Sequence, residues 1–136
     1  IDIGTPDMYM KVHRDIMEGR FQFEPFLGKN KKKKVIASDV KIDNDANIQG
    51  PCYIAKGVKI EAGVQIGPYS VIGQKCHIAK GARIEASIIW KNTYIGREAR
   101  VSNVTLGQNC NIGDGIEIAT GTVLGDNSRL PNPNHI

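Results

Sequence analysis

The sequence has few aromatic residues and no long apolar run, and each shortage excludes a class of protein. Aromatic residues make up 6% of the 136 positions although 40% are hydrophobic, so a core must be built from slim aliphatic side chains. No apolar stretch reaches the ~20 residues that span a bilayer, and the N-terminus lacks the charged start and apolar stretch of a signal peptide. We therefore expect a soluble, cytoplasmic protein with no membrane partner.

Cysteine is also scarce. The chain has three cysteines, an odd count, and their spacing is not that of metal ligands. These features argue against a disulfide framework and against a zinc site, and Cys52, Cys76 and Cys110 are predicted to be small core residues. The net charge of +4 depends heavily on one cluster of lysines, Lys29 and 31–34. Because no aromatic residues interleave with these lysines, we predict a solvated linker and no nucleic-acid partner.

What the sequence does contain is a six-residue period that starts at residue 35. The period is interrupted twice by a one-residue slip, before Ile89 and before Leu106. A helix of 3.6 residues per turn cannot keep every sixth residue on one face, because successive positions rotate away by roughly 120°. The aliphatic positions are Ile36, Ile42, Ile48, Ile54, Ile60, Ile66, Ile72, Ile78 and Ile84, then Ile89, Ile95 and Val101, then Leu106, Ile112, Ile118, Leu124 and Leu130.

Within each repeat, side chains alternate as they do in a strand. A small residue lies two positions before the aliphatic residue, and the residue between them points outward. Gly, Asn or Asp lies three positions after the aliphatic residue, where the turn needs a left-handed backbone. Three such units close a coil of about 18 residues, and about sixteen units give about five coils. The sequence therefore predicts an all-β parallel β-helix over residues 35–130, followed by a tail at 131–136.

Residues 1–34 do not repeat. Thr5 as N-cap and Pro6 at the first helical position predict one short α-helix, which Gly19 ends. A basic linker follows at residues 28–34.

The repeats resemble the bacterial transferase hexapeptide, as in Ile66-Gly67, Ile72-Gly73 and Ile112-Gly113. The resemblance implies a left-handed β-helix, a hand that does not follow from the spacing and that departs from the usual right-handed crossover rule. Acyltransferases, carbonic anhydrases and nucleotidyltransferase tails share this fold, so the repeats alone do not specify function.

The segment Ile1-Asp2-Ile3-Gly4-Thr5-Pro6-Asp7-Met8-Tyr9, continued by His13-Arg14-Asp15-Ile16, resembles the end of the catalytic domain of sugar-phosphate nucleotidyltransferases. It is most similar to bacterial mannose-1-phosphate guanylyltransferases. The resemblance implies that residues 1–27 are the end of a catalytic domain and its connecting helix. It also implies a parent enzyme that condenses a nucleoside triphosphate with a sugar 1-phosphate to give pyrophosphate and a nucleotide sugar, with GDP-mannose as the expected product.

By the same resemblance, Asp2 matches an acidic residue that helps to hold a divalent metal. Hard oxygen ligands suit Mg²⁺, which neutralises charge in phosphoryl transfer. The Gly-rich nucleotide loop and the second metal carboxylate of the family would lie upstream of residue 1. We therefore assign no catalytic residue here and expect this chain alone to be inactive and to need no cofactor; Mg²⁺, the nucleoside triphosphate and the sugar phosphate belong to the parent enzyme. The β-helix would then serve oligomerisation or regulation.

Two other classes of function stay open. In a hexapeptide acyltransferase, a histidine would deprotonate an acceptor that attacks an acyl-CoA or acyl-carrier thioester. The available histidines are His13, His77 and His135, and His77 is predicted to be a solvated surface residue. Three clustered histidines, as the carbonic anhydrases need for zinc, are missing. The third class is a non-catalytic assembly module.

One outward-facing column of the predicted prism is apolar, whereas the other two are polar. Its members, with Trp90 at the adjoining corner, are Val35, Tyr53, Val71, Ile88, Thr105 and Val123. β-propensity alone could produce this pattern, yet a contiguous apolar strip usually marks a buried contact. We predict an interface with another copy of the chain, giving a homo-oligomer, or with the N-terminal catalytic domain.

Overall fold

The computed structural model describes residues 34–132, and within this range the chain forms seventeen short β-strands. The strands are β1 (Lys34–Ile36), β2 (Lys41–Ile42), β3 (Asn47–Ile48), β4 (Cys52–Ile54), β5 (Lys59–Ile60), β6 (Gln65–Ile66), β7 (Ser70–Ile72), β8 (His77–Ile78), β9 (Arg83–Glu85), β10 (Ile88–Ile89), β11 (Tyr94–Ile95), β12 (Arg100–Ser102), β13 (Thr105–Leu106), β14 (Asn111–Ile112), β15 (Glu117–Ile118), β16 (Val123–Leu124) and β17 (Arg129–Leu130).

Every third strand pairs in parallel, so the strands form the three faces of a prism. Sheet A has the order β1-β4-β7-β10-β13-β16, sheet B has β2-β5-β8-β11-β14-β17, and sheet C has β3-β6-β9-β12-β15. The predicted left-handed parallel β-helix of about five coils is confirmed. The helix predicted within residues 1–27 and most of the basic linker lie outside the described residues.

The aliphatic residue of each repeat points into the prism. Ile54, Ile72, Ile95 and Ile112 are each 0% exposed, and they belong to one continuous cluster along the axis. The three cysteines join this cluster with exposures of 0 to 2% and are free thiols, so their predicted role as small core residues is confirmed. The six-residue period thus gives a narrow core, and none of the buried residues within 34–132 is aromatic.

Both one-residue slips occur at the same corner, where the chain passes from sheet C to sheet A. Ala86 and Asn103 turn this corner with φ of 47° and 53°. The sheet register is preserved across the slips: Ile88 pairs with Val71, 17 residues earlier, and with Thr105, 17 residues later. The shortening therefore removes a corner residue and leaves the strands aligned.

Glycine after the aliphatic residue allows neighbouring coils to stack closely. A Cβ atom on Gly96 would meet the backbone carbon of Gly113 at 2.5 Å and the backbone nitrogen of Asp114 at 2.6 Å. Because these are backbone atoms of the next coil, no side-chain adjustment could relieve the overlap. Glycine at position 96 therefore permits the close approach of the next coil.

Candidate functional site

The outer face of sheet A carries the apolar column that the sequence predicts. Backbone pairing places its six members in one unbroken row, in the order Val35, Tyr53, Val71, Ile88, Thr105 and Val123. Trp90 follows β10 directly and is partly buried at the corner beside this row. The interface role of these seven residues stays a prediction, and their placement on one face is an observation.

The middle of this row is closed to solvent. Ile88 is 0% exposed and Thr105 is 1% exposed, although both point away from the prism axis. Ile88 does not belong to the interior cluster. The corresponding residues of the same coil on the other sheets are half-buried in the case of Tyr94 and exposed in the case of Arg100. A central position in a sheet is therefore not enough to explain the burial of Ile88.

The ends of the row are more open than its middle. Tyr53 is 36% exposed, and Val35, Val71 and Val123 are half-buried. Thr105, Tyr53 and Trp90 each take part in a polar, ring or electrostatic interaction. The row thus combines a closed centre with accessible apolar and aromatic surface at its ends.

Sheet B carries a histidine–carboxylate pair on its outer face. The imidazole Nε2 of His77 is paired with the Glu61 carboxylate, and the two side chains are 39% and 33% exposed. The ring of Tyr94 meets the His77 ring edge-on, with centroids 5.2 Å apart and planes at 87°. His77 was predicted to be simply solvated; the structure instead shows it half-exposed, paired and packed against an aromatic ring.

The sequence analysis did not predict this pair, because Glu61 and His77 lie in neighbouring coils and do not occupy the same position of the repeat. Glu61 follows Ile60, and Ile60 pairs with Ile78, the neighbour of His77. The sequence could have shown this pair if the residue that follows each aliphatic position, here Glu61 after Ile60, had been aligned with the outward residues of the next coil.

Burial, followed by repulsion from Asp114 and Glu61, raises the pKa of the Tyr94 hydroxyl. A carboxylate that holds one ring nitrogen of a histidine leaves the other, here Nδ1, to exchange a proton.

All three cysteine thiols have a raised pKa. Burial raises the pKa of Cys52 to about 11 and that of Cys76 to about 12, and it also raises the pKa of Cys110. Since the thiolate is the reactive form, none of the three is suited to nucleophilic attack near neutral pH.

The metal site expected at Asp2 falls outside the described residues, as do His13 and His135. Residues 34–132 contain no group of three or more His, Cys, Asp or Glu side chains that could hold a metal ion. In the same range, no helix is long and apolar enough to cross a membrane.

A family model described as the GMPPB C-terminal domain matches residues 48–133. This chain belongs to the GMPPB C-terminal domain family. The match begins at the second residue of β3 and spans β4 to β17, and it therefore covers the outer face of sheet A from Tyr53 onward. It does not reach residues 1–47, which include the segment that resembles the end of a catalytic domain. A comparison with curated protein sequences gave no match.

Two solved structures with the same fold are described as acetyltransferases. The acetyltransferase domain of PglB from Neisseria gonorrhoeae, in complex with acetyl coenzyme A, is 20% identical with a TM-score of 0.50 over 91% of this chain and 61% of that one. Serine acetyltransferase isoform 3 from Entamoeba histolytica, in complex with cysteine, is 20% identical with a TM-score of 0.50 over 95% of this chain and 48% of that one. The chain thus covers less than two thirds of either protein, and the likeness concerns the fold alone.

Proposed function

We propose that this β-helix is the C-terminal assembly domain of a sugar-1-phosphate nucleotidyltransferase. The parent enzyme condenses a nucleoside triphosphate with a sugar 1-phosphate and releases pyrophosphate, with GDP-mannose as the nucleotide sugar. Two independent stretches support this reading: the family match over residues 48–133 and the Asp2-Ile3-Gly4-Thr5 segment that precedes the repeats. The reaction itself belongs to the catalytic domain, where Asp2 would help to hold Mg²⁺.

The observation that carries the assembly role is the burial of Ile88 on the outside of the prism. Ile88 is 0% exposed and Thr105 is 1% exposed, so the centre of this face is closed to solvent. The chain also enters the β-helix through β1, which is the first strand of this same sheet. These observations support the proposal that the outer face of sheet A is the surface on which the catalytic domain docks. Self-association is the alternative use of this face.

The enzymatic part of the proposal is tested with the full-length protein. We expect pyrophosphate release from GTP and mannose 1-phosphate in the presence of Mg²⁺, and no release by the 136-residue chain alone. A full-length protein that releases no pyrophosphate with any pair of nucleoside triphosphate and sugar 1-phosphate would contradict it.

The docking role is tested at the open end of the row, where substitution does not disturb the core. Tyr53→Glu and Val71→Glu should loosen the contact, because each places a carboxylate in an apolar interface. Asn111→Glu, exposed on sheet B, is the matched control. In the full-length protein we expect faster proteolytic separation of the two domains in the first two variants only, at an unchanged mass by light scattering. A fall in mass without faster separation would assign the face to self-association instead.

The pair of His77 and Glu61 favours acyl transfer as a second candidate function. In that reaction His77 Nδ1 would take a proton from an acceptor hydroxyl or amine, the acceptor oxygen or nitrogen would bond to the thioester carbonyl carbon, and the thiol would leave. Acetyl-CoA binding by this chain, with thiol release that is lost in His77→Asn, would support it. Unchanged release in His77→Asn, or no binding of acetyl-CoA, would exclude it.

A further inference from the structure

The outer face of sheet C forms a polar groove that neither the assembly role nor acyl transfer uses. Its volume is about 360 Å³. The groove runs across the outward row of the sheet, which pairs in the order Asn47, Gln65, Arg83, Arg100 and Glu117, and Glu85 borders it at the corner toward sheet A.

Two arginines face each other at the centre of this groove. Arg83 and Arg100 are paired in register on neighbouring strands, so their backbones are about 4.8 Å apart, and both are exposed. Like charges directly opposite each other on adjacent strands are destabilising. The pairing of Arg83 with Arg100 is therefore unfavourable unless an anion lies between the two side chains.

Nearby carboxylates do not neutralise these arginines. Glu117 pairs in register with Arg100, and Glu85 lies in the same strand as Arg83. Within residues 34–132, however, neither guanidinium lies within 4.0 Å of a carboxylate. Glu85 instead accepts a hydrogen bond from the hydroxyl of Ser102 at 3.3 Å. Both guanidinium groups thus keep their donors available for a ligand.

The lining indicates which ligand would fit. Guanidinium groups bind phosphate oxygens through paired hydrogen bonds. The amides of Gln65 and Asn47, on the side of Arg83 away from Glu117, supply both donors and acceptors, as hydroxyl groups require. None of the residues that line the groove is aromatic, so it offers no stacking face for a nucleic-acid base.

We propose that the sheet C groove binds a phosphorylated sugar, with Arg83 and Arg100 holding the phosphate and Gln65 and Asn47 contacting hydroxyl groups of the sugar. This site is separate from a substrate site in a catalytic domain, and the choice of mannose 1-phosphate as its probe rests on the proposed function. It gives the β-helix a means of sensing a metabolite directly.

The test measures binding of mannose 1-phosphate to the 136-residue chain by calorimetry, with inorganic phosphate and mannose as separate probes. Arg83→Gln and Arg100→Gln should each weaken binding about 10- to 100-fold, the effect of losing a charged hydrogen bond. Arg129→Gln, an exposed arginine on sheet B, should leave it unchanged. Glu117→Gln should tighten binding about threefold, because it removes a unit charge at ~6 Å in water.

Three outcomes would overturn the proposal. The first is no binding of any phosphate probe at millimolar concentration by a chain whose thermal unfolding shows that it is folded. The second is wild-type affinity in the variant that combines Arg83→Gln with Arg100→Gln. The third is equal affinity for inorganic phosphate and mannose 1-phosphate, which would show that the sugar makes no favourable contact and that the groove binds anions in general.

Discussion

The hydroxyl group of Thr93 accepts a hydrogen bond from the backbone amide of Cys110 at 3.2 Å, and it donates one to the carbonyl of Gly107 at 3.1 Å. Thr93 is 1% exposed and points into the prism. Ser87 makes a related link at another corner, where its hydroxyl accepts from the amide of Val104 in the next coil at 3.0 Å and donates to the carbonyl of Glu85 in its own coil at 2.8 Å. Buried hydroxyl groups therefore tie successive coils together where the backbone turns.

Thr93→Val tests the value of this link. Valine has nearly the same shape but no hydroxyl group, so the buried amide of Cys110 loses its partner. We expect the free energy of unfolding to fall by ~1–3 kcal/mol, the usual effect of an unsatisfied buried donor. Urea denaturation measures it, with Thr120→Val at an exposed position as the control. Equal stabilities of the two variants would show that the hydroxyl of Thr93 contributes nothing net.

Gly96→Ala tests the close stacking of coils. A Cβ atom there meets three backbone atoms at 2.7 Å or less, whereas one on Gly125 meets no atom within 4 Å. We expect Gly96→Ala to destabilise the fold by about 1–3 kcal/mol or more, through forced separation of the backbones. Gly125→Ala should be close to neutral. Thermal unfolding of both variants gives the comparison, and a neutral Gly96→Ala would mean that the coils can separate at no cost.

Ala86→Gly tests the strain at the shortened corner. Ala86 has φ of 47°, a left-handed conformation in which an alanine Cβ is unfavourable. Glycine relieves that strain but loses more backbone entropy on folding, so a net gain of up to about 1 kcal/mol is expected. Ala119→Gly, exposed and without a positive φ, should instead lose roughly 0.5–1 kcal/mol. The opposite signs of the two changes, measured by denaturation, are the expected result; the same sign in both would refute the strain argument.

Stability should decline at alkaline pH because the thiols are buried. The pKa of Cys76 rises from 9.0 to about 12, and that of Cys52 rises from 9.0 to about 11. Between pH 9 and these raised pKa values, the unfolded chain releases the thiol protons that the folded chain keeps. The unfolded state then binds fewer protons, so the free energy of unfolding falls as pH rises. Below pH 9 the contribution is fully present.

The measurement is a series of urea denaturations from pH 8 upward. Cys76→Ser removes one titrating thiol, so its stability should decline less steeply above pH 9 than that of the wild type, whatever its stability at neutral pH. Parallel curves for the two proteins would mean that Cys76 does not titrate in this range.

The sequence predicted most of the prism because one period controls both strand and corner. The alternation around residues such as Ile72 and Ile95 determines which side chains enter the core, and the two slips before Ile89 and Leu106 could be placed by counting. The row from Val35 to Val123 was found for the same reason. These features depend on residues near one another in the chain or one coil apart.

The contacts that the sequence did not reveal depend on more than the period. The pattern shows that Ile88 points outward, but it does not show what lies on that face, so its complete burial was not foreseen. The pairing of His77 with Glu61 runs diagonally between coils and needs the actual reach of two side chains. The period puts Arg83 and Arg100 in one polar column, but it does not give the side-chain positions that leave both without a carboxylate within 4.0 Å in residues 34–132.

The corner turned by Ala86 and Asn103 also determines where the chain can change length. A residue gained or lost inside a strand would exchange its inner and outer side chains, whereas a change at this corner leaves every strand in phase. Insertions and deletions should therefore accumulate along this single edge of the prism as such sequences diverge. An epitope tag grafted after Ala86 should be displayed on the surface while the coils above and below it continue to stack.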